Sequence, residues 1–199
     1  MKDIIIATKN PGKAKEFREF FAKYNIKAVS LLDLQEEVED IEETGSTFEE
    51  NAALKAEGIA TKFNLPVLAD DSGLMVDALD GRPGIFSARY AGESKDDQAN
   101  LEKVLSELND TPDNERTARF VCVLAIAIPG ESTIYKKGYC EGKIAREPKG
   151  DHGFGYDPIF IPASFAQTMA ELTPEKKNEI SHRSNAIAQM ENWIKEFNR

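Results

Sequence analysis

Two adjacent acids, Asp70 and Asp71, follow the apolar run Pro66-Val67-Leu68-Ala69 and precede Ser72-Gly73. Carboxylates beside a buried strand are costly unless something uses them. A hard cation such as Mg²⁺ takes carboxylate oxygens and keeps several waters. It can bridge phosphate oxygens and lower the pKa of a bound water. Successive residues on an extended chain face opposite ways. The two acids should therefore have different jobs, one facing metal and water, the other holding the loop. An Asp-rich capping turn is the plain structural alternative.

Four further segments carry candidate chemistry. Thr8-Lys9-Asn10-Pro11-Gly12-Lys13 joins an apolar strand to a helix. Helix N-termini bind anions through unpaired backbone N–H groups and the helix dipole, and Lys9 and Lys13 add positive charge. The spacing is not Gly-x-x-x-x-Gly-Lys-Ser/Thr, so this is not a Walker loop. Glu42-Glu43-Thr44-Gly45 can supply a second metal-side carboxylate, although Glu36, Glu37, Glu39 and Asp40 also make the stretch read as an acidic surface loop. Gly153-Phe154-Gly155-Tyr156-Asp157-Pro158 reads as an open loop. Its two aromatics could stack on a flat ring, and Asp157 could accept from ring N–H groups. In Lys176-Lys177-Asn178-Glu179-Ile180-Ser181-His182-Arg183, three polar donors share one turn before the final helix. No nucleophile is paired with His182, which reads as a recognition residue rather than a base.

The elements that must position these residues follow from periodicity. Ile4 to Thr8 reads as a buried strand, and Asn10-Pro11 as a cap and first helical residue. Phe17, Phe20, Phe21 and Tyr24 lie at helical spacing, and Lys27 to Leu31 as a second strand. Ser46-Thr47-Phe48-Glu49 has the capping-box pattern. It opens a helix to about Phe63, with Phe48, Ala52, Ala56, Ile59, Ala60 and Phe63 inward and Asn64 as the stop. Pro66 to Ala69 is a short strand delivering the acids at its end. Leu101, Val104, Leu105 and Leu108 line another helix. Phe120 to Ile128 and Thr133 to Tyr139 are strands around a Pro129-Gly130 turn. Ile187, Met190, Ile194 and Phe197 mark one face of a last helix. The order predicts an α/β or α+β fold with a mixed sheet.

Bulk properties narrow the classes. The chain has 199 residues, 41% of them hydrophobic and 30% charged, with a net charge of −10. That length fits one domain, 1–199, or one domain with two lobes. The acidic excess opposes nucleic acid and anionic membranes, so a polyanionic substrate needs local lysines, arginines and metal. Cys122 and Cys140 lack metal-ligand spacing and read as reduced, buried thiols. No run approaches the ~20 apolar residues of a membrane span. The short apolar run after Met1-Lys2-Asp3 reads as a strand rather than a secretory signal. The expectation is a soluble, cytoplasmic protein with a small-molecule partner.

Together the segments are more specific than any one. Ala7 to Lys13, Glu42 to Ala52, Ala69 to Leu74, Gly81-Arg82-Pro83-Gly84-Ile85-Phe86-Ser87-Ala88-Arg89-Tyr90, Gly153 to Pro158 and Ser181-His182-Arg183 resemble the inosine triphosphate pyrophosphatase family, the bacterial dITP/XTP pyrophosphatases. The resemblance runs from Ile4 to about Asn185. It implies an elongated, two-lobed α/β fold around a long mixed sheet, an active-site cleft between lobes, and a homodimer. It implies hydrolysis of XTP, ITP and dITP to the monophosphate and pyrophosphate, with Mg²⁺ as cofactor. Thr8, Lys9, Asn10, Pro11, Gly12 and Lys13 would hold the triphosphate. Asp71 would be proton acceptor and metal ligand. Glu43, nearer the Thr44-Gly45 pair than Glu42, would assist at the metal. Ser72 would touch substrate, and Phe154, Gly155, Tyr156, Asp157, Lys177, His182 and Arg183 would bind base and phosphate. The alternatives are a Maf-like pyrophosphatase of other base specificity and a non-catalytic nucleotide binder. The intact Ser181-His182-Arg183 and Phe154 to Asp157 segments oppose the first. The acids oppose the second.

The base preference has its own physical logic. Hypoxanthine and xanthine carry a carbonyl acceptor at purine position 6, where adenine carries an amino donor. Donors such as Arg183 and His182 aimed there would pair with inosine or xanthosine. Adenosine would leave them unpaired, a loss that can reject an analogue by roughly 10⁴-fold. Guanine shares the carbonyl and must be excluded at its 2-amino group.

Overall fold

Ile4, Ile5 and Ile6 are all buried, as expected of a strand covered on both faces. They form β1 (Asp3–Ile6) in a computed structural model that describes residues 3–34, 36, 38–39 and 41–197. Glu37 and Asp40 of the acidic run lie outside the described residues. Asn10 then caps α1 (Pro11–Ala22), its side chain accepting from the Lys13 N–H, with Pro11 at the first position. Phe17, Phe20 and Phe21 are buried on this helix, while Tyr24 lies beyond its end and is half-buried. β2 (Lys27–Ser30) returns parallel to β1.

The cap of α2 (Phe48–Phe63) sits one residue later than its sequence pattern suggests. Thr47 is the cap and accepts from the Glu50 N–H, and the Glu50 carboxylate accepts from the Ser46 N–H at 2.6 Å. Such a cap is worth about 1 kcal/mol. Asn64 ends the helix in the left-handed region at φ 51°, where Asn is tolerated.

β3 corrects the sequence reading more substantially. It runs from Val67 to Val76, so Asp70 and Asp71 lie within a strand rather than at its end. Apolar Leu74 and Val76 continue the buried pattern beyond the acids. α3 (Asp97–Glu107) follows, then β4 (Thr117–Ala127) and β5 (Ile134–Ile144). The Glu131 N–H donates to the Ile128 carbonyl across Pro129-Gly130, with Gly130 at φ 83°. Proline then glycine at the two central positions suits a type II turn.

β6 (Phe160–Pro162) completes a six-stranded sheet of order β2-β1-β3-β4-β5-β6. β1 is parallel to β2 and β3, whereas β5 and β6 are antiparallel, so the sheet is mixed. α4 (Pro174–Ile180) follows, and the expected single last helix is two short ones, α5 (His182–Ala188) and α6 (Glu191–Phe197). Tight three-residue bonds from Gln189 and Met190 to Ala186 and Ile187 interrupt the last pair.

Contacts divide the chain into two compact units, 1–71 with 123–137 and 186–199, and 72–122 with 138–185. The first buries Ile4 to Ile6, Phe17, Phe21, Ala52, Ala56, Leu68, Leu124 and Ile126. The core of the second joins Leu74, Val76, Leu101, Val104, Leu108, Phe120, Tyr156, Ile159 and Phe160. Cys122 and Cys140 are buried and form no disulfide, as expected, and burial pushes the Cys140 thiol up to about 11.

Candidate active site

In the first unit, the turn before α1 is organised by its own side chains. Thr8 Oγ1 accepts from the Asn10 N–H at 3.1 Å, and Asn10 Oδ1 from the Lys13 N–H at 3.1 Å. No acid stands in the first turn of α1, so the dipole and the remaining N–H groups there keep their attraction for an anion. Thr8 is buried, Lys9, Asn10, Pro11 and Gly12 are exposed, and Lys13 is half-buried. The Lys13 ammonium donates to Asp70 Oδ2 at 2.6 Å. That bond ties the anion-ready end of α1 to the acid pair of β3.

Lys55 is the residue that sequence reading missed. It projects from α2 and meets Glu43 Oε1 at 2.8 Å and Asp71 Oδ1 at 3.5 Å. Burial works to strip its proton, yet Asp71, Asp70 and Glu43 hold its pKa above the ordinary lysine value. A signal was present: Asn51, Lys55 and Ile59 recur at intervals of four, and Asn51 and Ile59 are buried. A lysine on the inward stripe of a helix needs acids to meet it.

The two acids have different partners. Asp70 pairs with Lys13, whereas Asp71 is opposed by Lys55. Burial has the largest influence on Asp71 and pushes its carboxyl up to about 6. Lys55 and Lys13 oppose the rise, and Glu43 and Asp70 add to it. Asp71 Oδ2 is buried without a hydrogen-bond partner among the described residues. Of the two candidate metal-side acids, Glu43 reaches this cluster and Glu42 is exposed.

These residues fit a divalent cation. Three carboxylates (Glu43, Asp70, Asp71) face two ammonium groups (Lys13, Lys55), leaving one negative charge in excess. An unsatisfied carboxylate oxygen is available on Asp71. No cluster of three or more metal-ligating side chains occurs among the described residues. Mg²⁺ does not need one, because it is commonly held by one or two carboxylates together with substrate phosphates and water.

In the second unit, the loop 153–157 winds around the carboxylate of Asp157. Its Oδ2 accepts from the Phe154 N–H at 2.9 Å and from the Lys177 ammonium at 2.5 Å. Gly153 has φ 82°, and a Cβ there would lie 2.0 Å from Asp157 Oδ2, so only glycine fits. The Gly155 N–H donates to Asp97 Oδ2 at 2.8 Å. Phe154 is exposed, with the Lys177 ammonium 4.9 Å from its ring centre. The expectation of two stacking aromatics needs correction. Tyr156 belongs to the core, and its hydroxyl donates to the Ser87 carbonyl at 2.7 Å, leaving Phe154 as the open ring. Ser87 Oγ in turn accepts from the Leu74 N–H at 2.9 Å, so the 84–89 segment braces the loop from beneath.

Ser181, buried, accepts from the Ser184 N–H at 3.1 Å and so caps α5. His182 and Arg183 therefore stand in the first turn of that helix rather than before it. His182 stacks on Phe120 at 4.9 Å between ring centres, and Arg183 is buried. Ser72 is half-buried on β3.

The sequence profile of the Ham1 family matches residues 4–193. The chain belongs to the Ham1 family. A dITP/XTP pyrophosphatase of Oceanobacillus iheyensis is 69% identical to this Ham1 chain over 194 residues, spanning 98% of each. A dITP/XTP pyrophosphatase of Halalkalibacterium halodurans is 61% identical over 194 residues, spanning 98% of this chain and 100% of the other. The solved Ham1 protein of Staphylococcus aureus superposes with a TM-score of 0.90 at 47% identity, covering 98% of this chain and 100% of that one. The family resemblance drawn from the motifs and the mixed α/β fold are both borne out.

Proposed function

We infer that this Ham1-family chain hydrolyses the deaminated purine nucleotides XTP, ITP and dITP to the monophosphate and pyrophosphate. The observation that carries the reading is the Lys13–Asp70 bond, which joins an acid-free helix N-terminus to a buried acid pair. Relatives named for this activity support it at 61–69% identity.

The roles follow from the chemistry of each residue. The α1 N-terminus with Lys9 and Lys13 seats the triphosphate. Lys13 and Lys55 neutralise carboxylates in the resting protein and are placed to exchange them for phosphate oxygens. Asp71 and Glu43 would hold Mg²⁺, which would supply charge neutralisation on the phosphates and a more acidic water. Asp71, buried and with one carboxylate oxygen lacking a partner among the described residues, is placed to take the proton of the attacking water. Phe154 stacks on the base, and His182 and Arg183 donate to the position-6 carbonyl. The acidic net charge turns nucleic acid away. Among the described residues, no helix is long and apolar enough to cross a membrane. The resemblance further implies a cytoplasmic location and a homodimer; sedimentation of the purified protein checks the dimer.

The test is to assay pyrophosphate release from ITP, XTP, dITP, dTTP and ATP side by side, with and without Mg²⁺. The expected result is fast release from the first three and slow release from the others. Orthophosphate with a nucleoside diphosphate as first products would overturn the bond assignment. Preference for dTTP would overturn the base assignment.

A further inference from the structure

The segment that carries Glu43 has no regular secondary structure, so something else must fix its carboxylate. Three contacts to α2 do so. Glu43 Oε1 meets Lys55, the Gly45 N–H donates to Asn51 Oδ1 at 2.8 Å, and the Ser46 N–H donates to Glu50 Oε2 at 2.6 Å. Glu50 is exposed, whereas Asn51 has no exposure at all. A hydrogen bond shielded from water keeps its geometry where an exposed one exchanges with solvent.

The fit at this point is tight. A Cβ on Gly45 would stand 2.6 Å from Asn51 Oδ1, 2.7 Å from the Glu50 Cβ and 3.0 Å from the Asn51 backbone nitrogen. The strap therefore approaches the helix as closely as glycine permits, and the Asn51 amide oxygen is what meets it. Asn51 Nδ2 is buried and finds no hydrogen-bond partner among the described residues. The bond to Gly45 is thus the one hydrogen bond of the Asn51 side chain among the described residues. Asn51 also stands four residues before Lys55, on the same stripe of α2. One helix face fixes both the backbone after Glu43 and the carboxylate of Glu43 itself.

We propose that Asn51 is a positioning residue for the metal-side acid: through Gly45 it sets where the Glu43 carboxylate stands. The proposal rests on the reading of Glu43 as that acid. Partners that orient a ligating carboxylate change metal affinity by roughly 10- to 100-fold when removed.

The experiment measures Mn²⁺ binding by calorimetry to the whole protein, in the presence of a non-hydrolysable imido analogue of ITP. The proteins are wild type, Asn51→Ala, Asn51→Asp, Glu43→Gln and the double variant Asn51→Ala with Glu43→Gln. Circular dichroism checks the fold of each. Asn51→Ala is expected to weaken Mn²⁺ binding about 10- to 100-fold. Asn51→Asp keeps an acceptor for the Gly45 N–H and is expected to restore binding to within about 3-fold of wild type. In the Glu43→Gln background, Asn51→Ala should cost less than about 2-fold more, because the group it positions is already gone. A merely structural role would lower binding in both backgrounds alike, and that result overturns the proposal. If Asn51→Ala does not fold, the Asn51→Asp protein decides alone: a loss there matching that of Glu43→Gln would sink the proposal. Glu43→Gln binding Mn²⁺ like wild type would overturn the reading beneath it as well. Wild-type binding by Asn51→Ala beside a weakened Glu43→Gln would overturn the positioning role only.

Discussion

Asp71 in the first unit and Asp157 in the second are both buried, at 7% and 4% exposure. Their surroundings differ. Asp157 Oδ2 receives a backbone N–H from its own loop and an ammonium from Lys177. Asp71 has one oxygen without a partner among the described residues, and its other oxygen meets Lys55 only at 3.5 Å. A carboxylate satisfied by its own loop shapes that loop and exposes Phe154. A carboxylate left unsatisfied holds its charge at a cost, and its pKa rises accordingly. The contrast separates a residue that shapes a site from one equipped to react. Such cost is tolerated where a metal or a proton later relieves it.

The largest expected effect tests the reactive half of that contrast. Asp71→Asn should lower kcat about 10²- to 10⁴-fold, the usual worth of one acid–base group. In EDTA the same change should stabilise the protein, and the sign can be worked out. The Asp71 carboxyl stands at about 6 when folded against an ordinary value of 3.8. Below about pH 3.8 it is protonated in both states and carries no penalty. As pH rises from there to about 6, the unfolded chain releases the proton and the folded one keeps it, so stability falls. Above about 6 the penalty is constant, at most about 3 kcal/mol for a difference of about 2 units. Urea unfolding of wild type and variant in EDTA should therefore agree near pH 4 and diverge by pH 7, with the variant more stable. Parallel curves would mean that Asp71 is no less comfortable than Asp157, and the comparison would fail.

A smaller effect is expected at Arg183, which the second unit buries in the first turn of α5. Arg183→Ala should reduce the preference for ITP over ATP by roughly 10- to 150-fold. That is the kinetic equivalent of a charged hydrogen bond of about 1.5–3 kcal/mol. Truncating a buried side chain can also lower stability, so the informative quantity is the ratio of the two kcat/KM values. Equal losses on both nucleotides would move Arg183 from the base to the phosphate chain.

How much of this was legible in the sequence depends on what each feature rests on. Local chemistry was: the Asn10 cap, the Asn64 stop and the Pro129-Gly130 turn are set by residues a few positions apart. The acids were legible as candidate site residues but misplaced on their element. Asp-Asp-Ser-Gly reads as a turn, and tertiary burial of the following Leu74 and Val76 keeps it extended within β3. Lys55 was missed because its meaning lies in partners 12 and 16 residues away, Glu43 and Asp71. Tyr156 was read as open because it follows the Gly153-Phe154-Gly155 run. Its ring is instead claimed by the core and its hydroxyl by Ser87, 69 residues distant in sequence. Partnerships of that range leave no periodic trace.

The smallest expected effect tests whether loop shape alone governs the second unit. Asp97, the first residue of α3, accepts from the Gly155 N–H at 2.8 Å. The bond is exposed, so its net worth is about 0.5–1.5 kcal/mol. Asp97→Ala should release the middle of the loop while the Asp157 contacts still hold Gly153 and Phe154. Base stacking would then lose part of its preorganisation, and KM for ITP should rise roughly 2- to 10-fold. In the proposed mechanism the proton transfer falls to Asp71, so kcat should change by less than about 2-fold. Asp97→Asn keeps an acceptor without the charge and should fall between wild type and Asp97→Ala. A drop in kcat at unchanged KM would show that the loop's shape enters the chemical step. The division between a shaping carboxylate at Asp157 and a reacting one at Asp71 would then have to be redrawn.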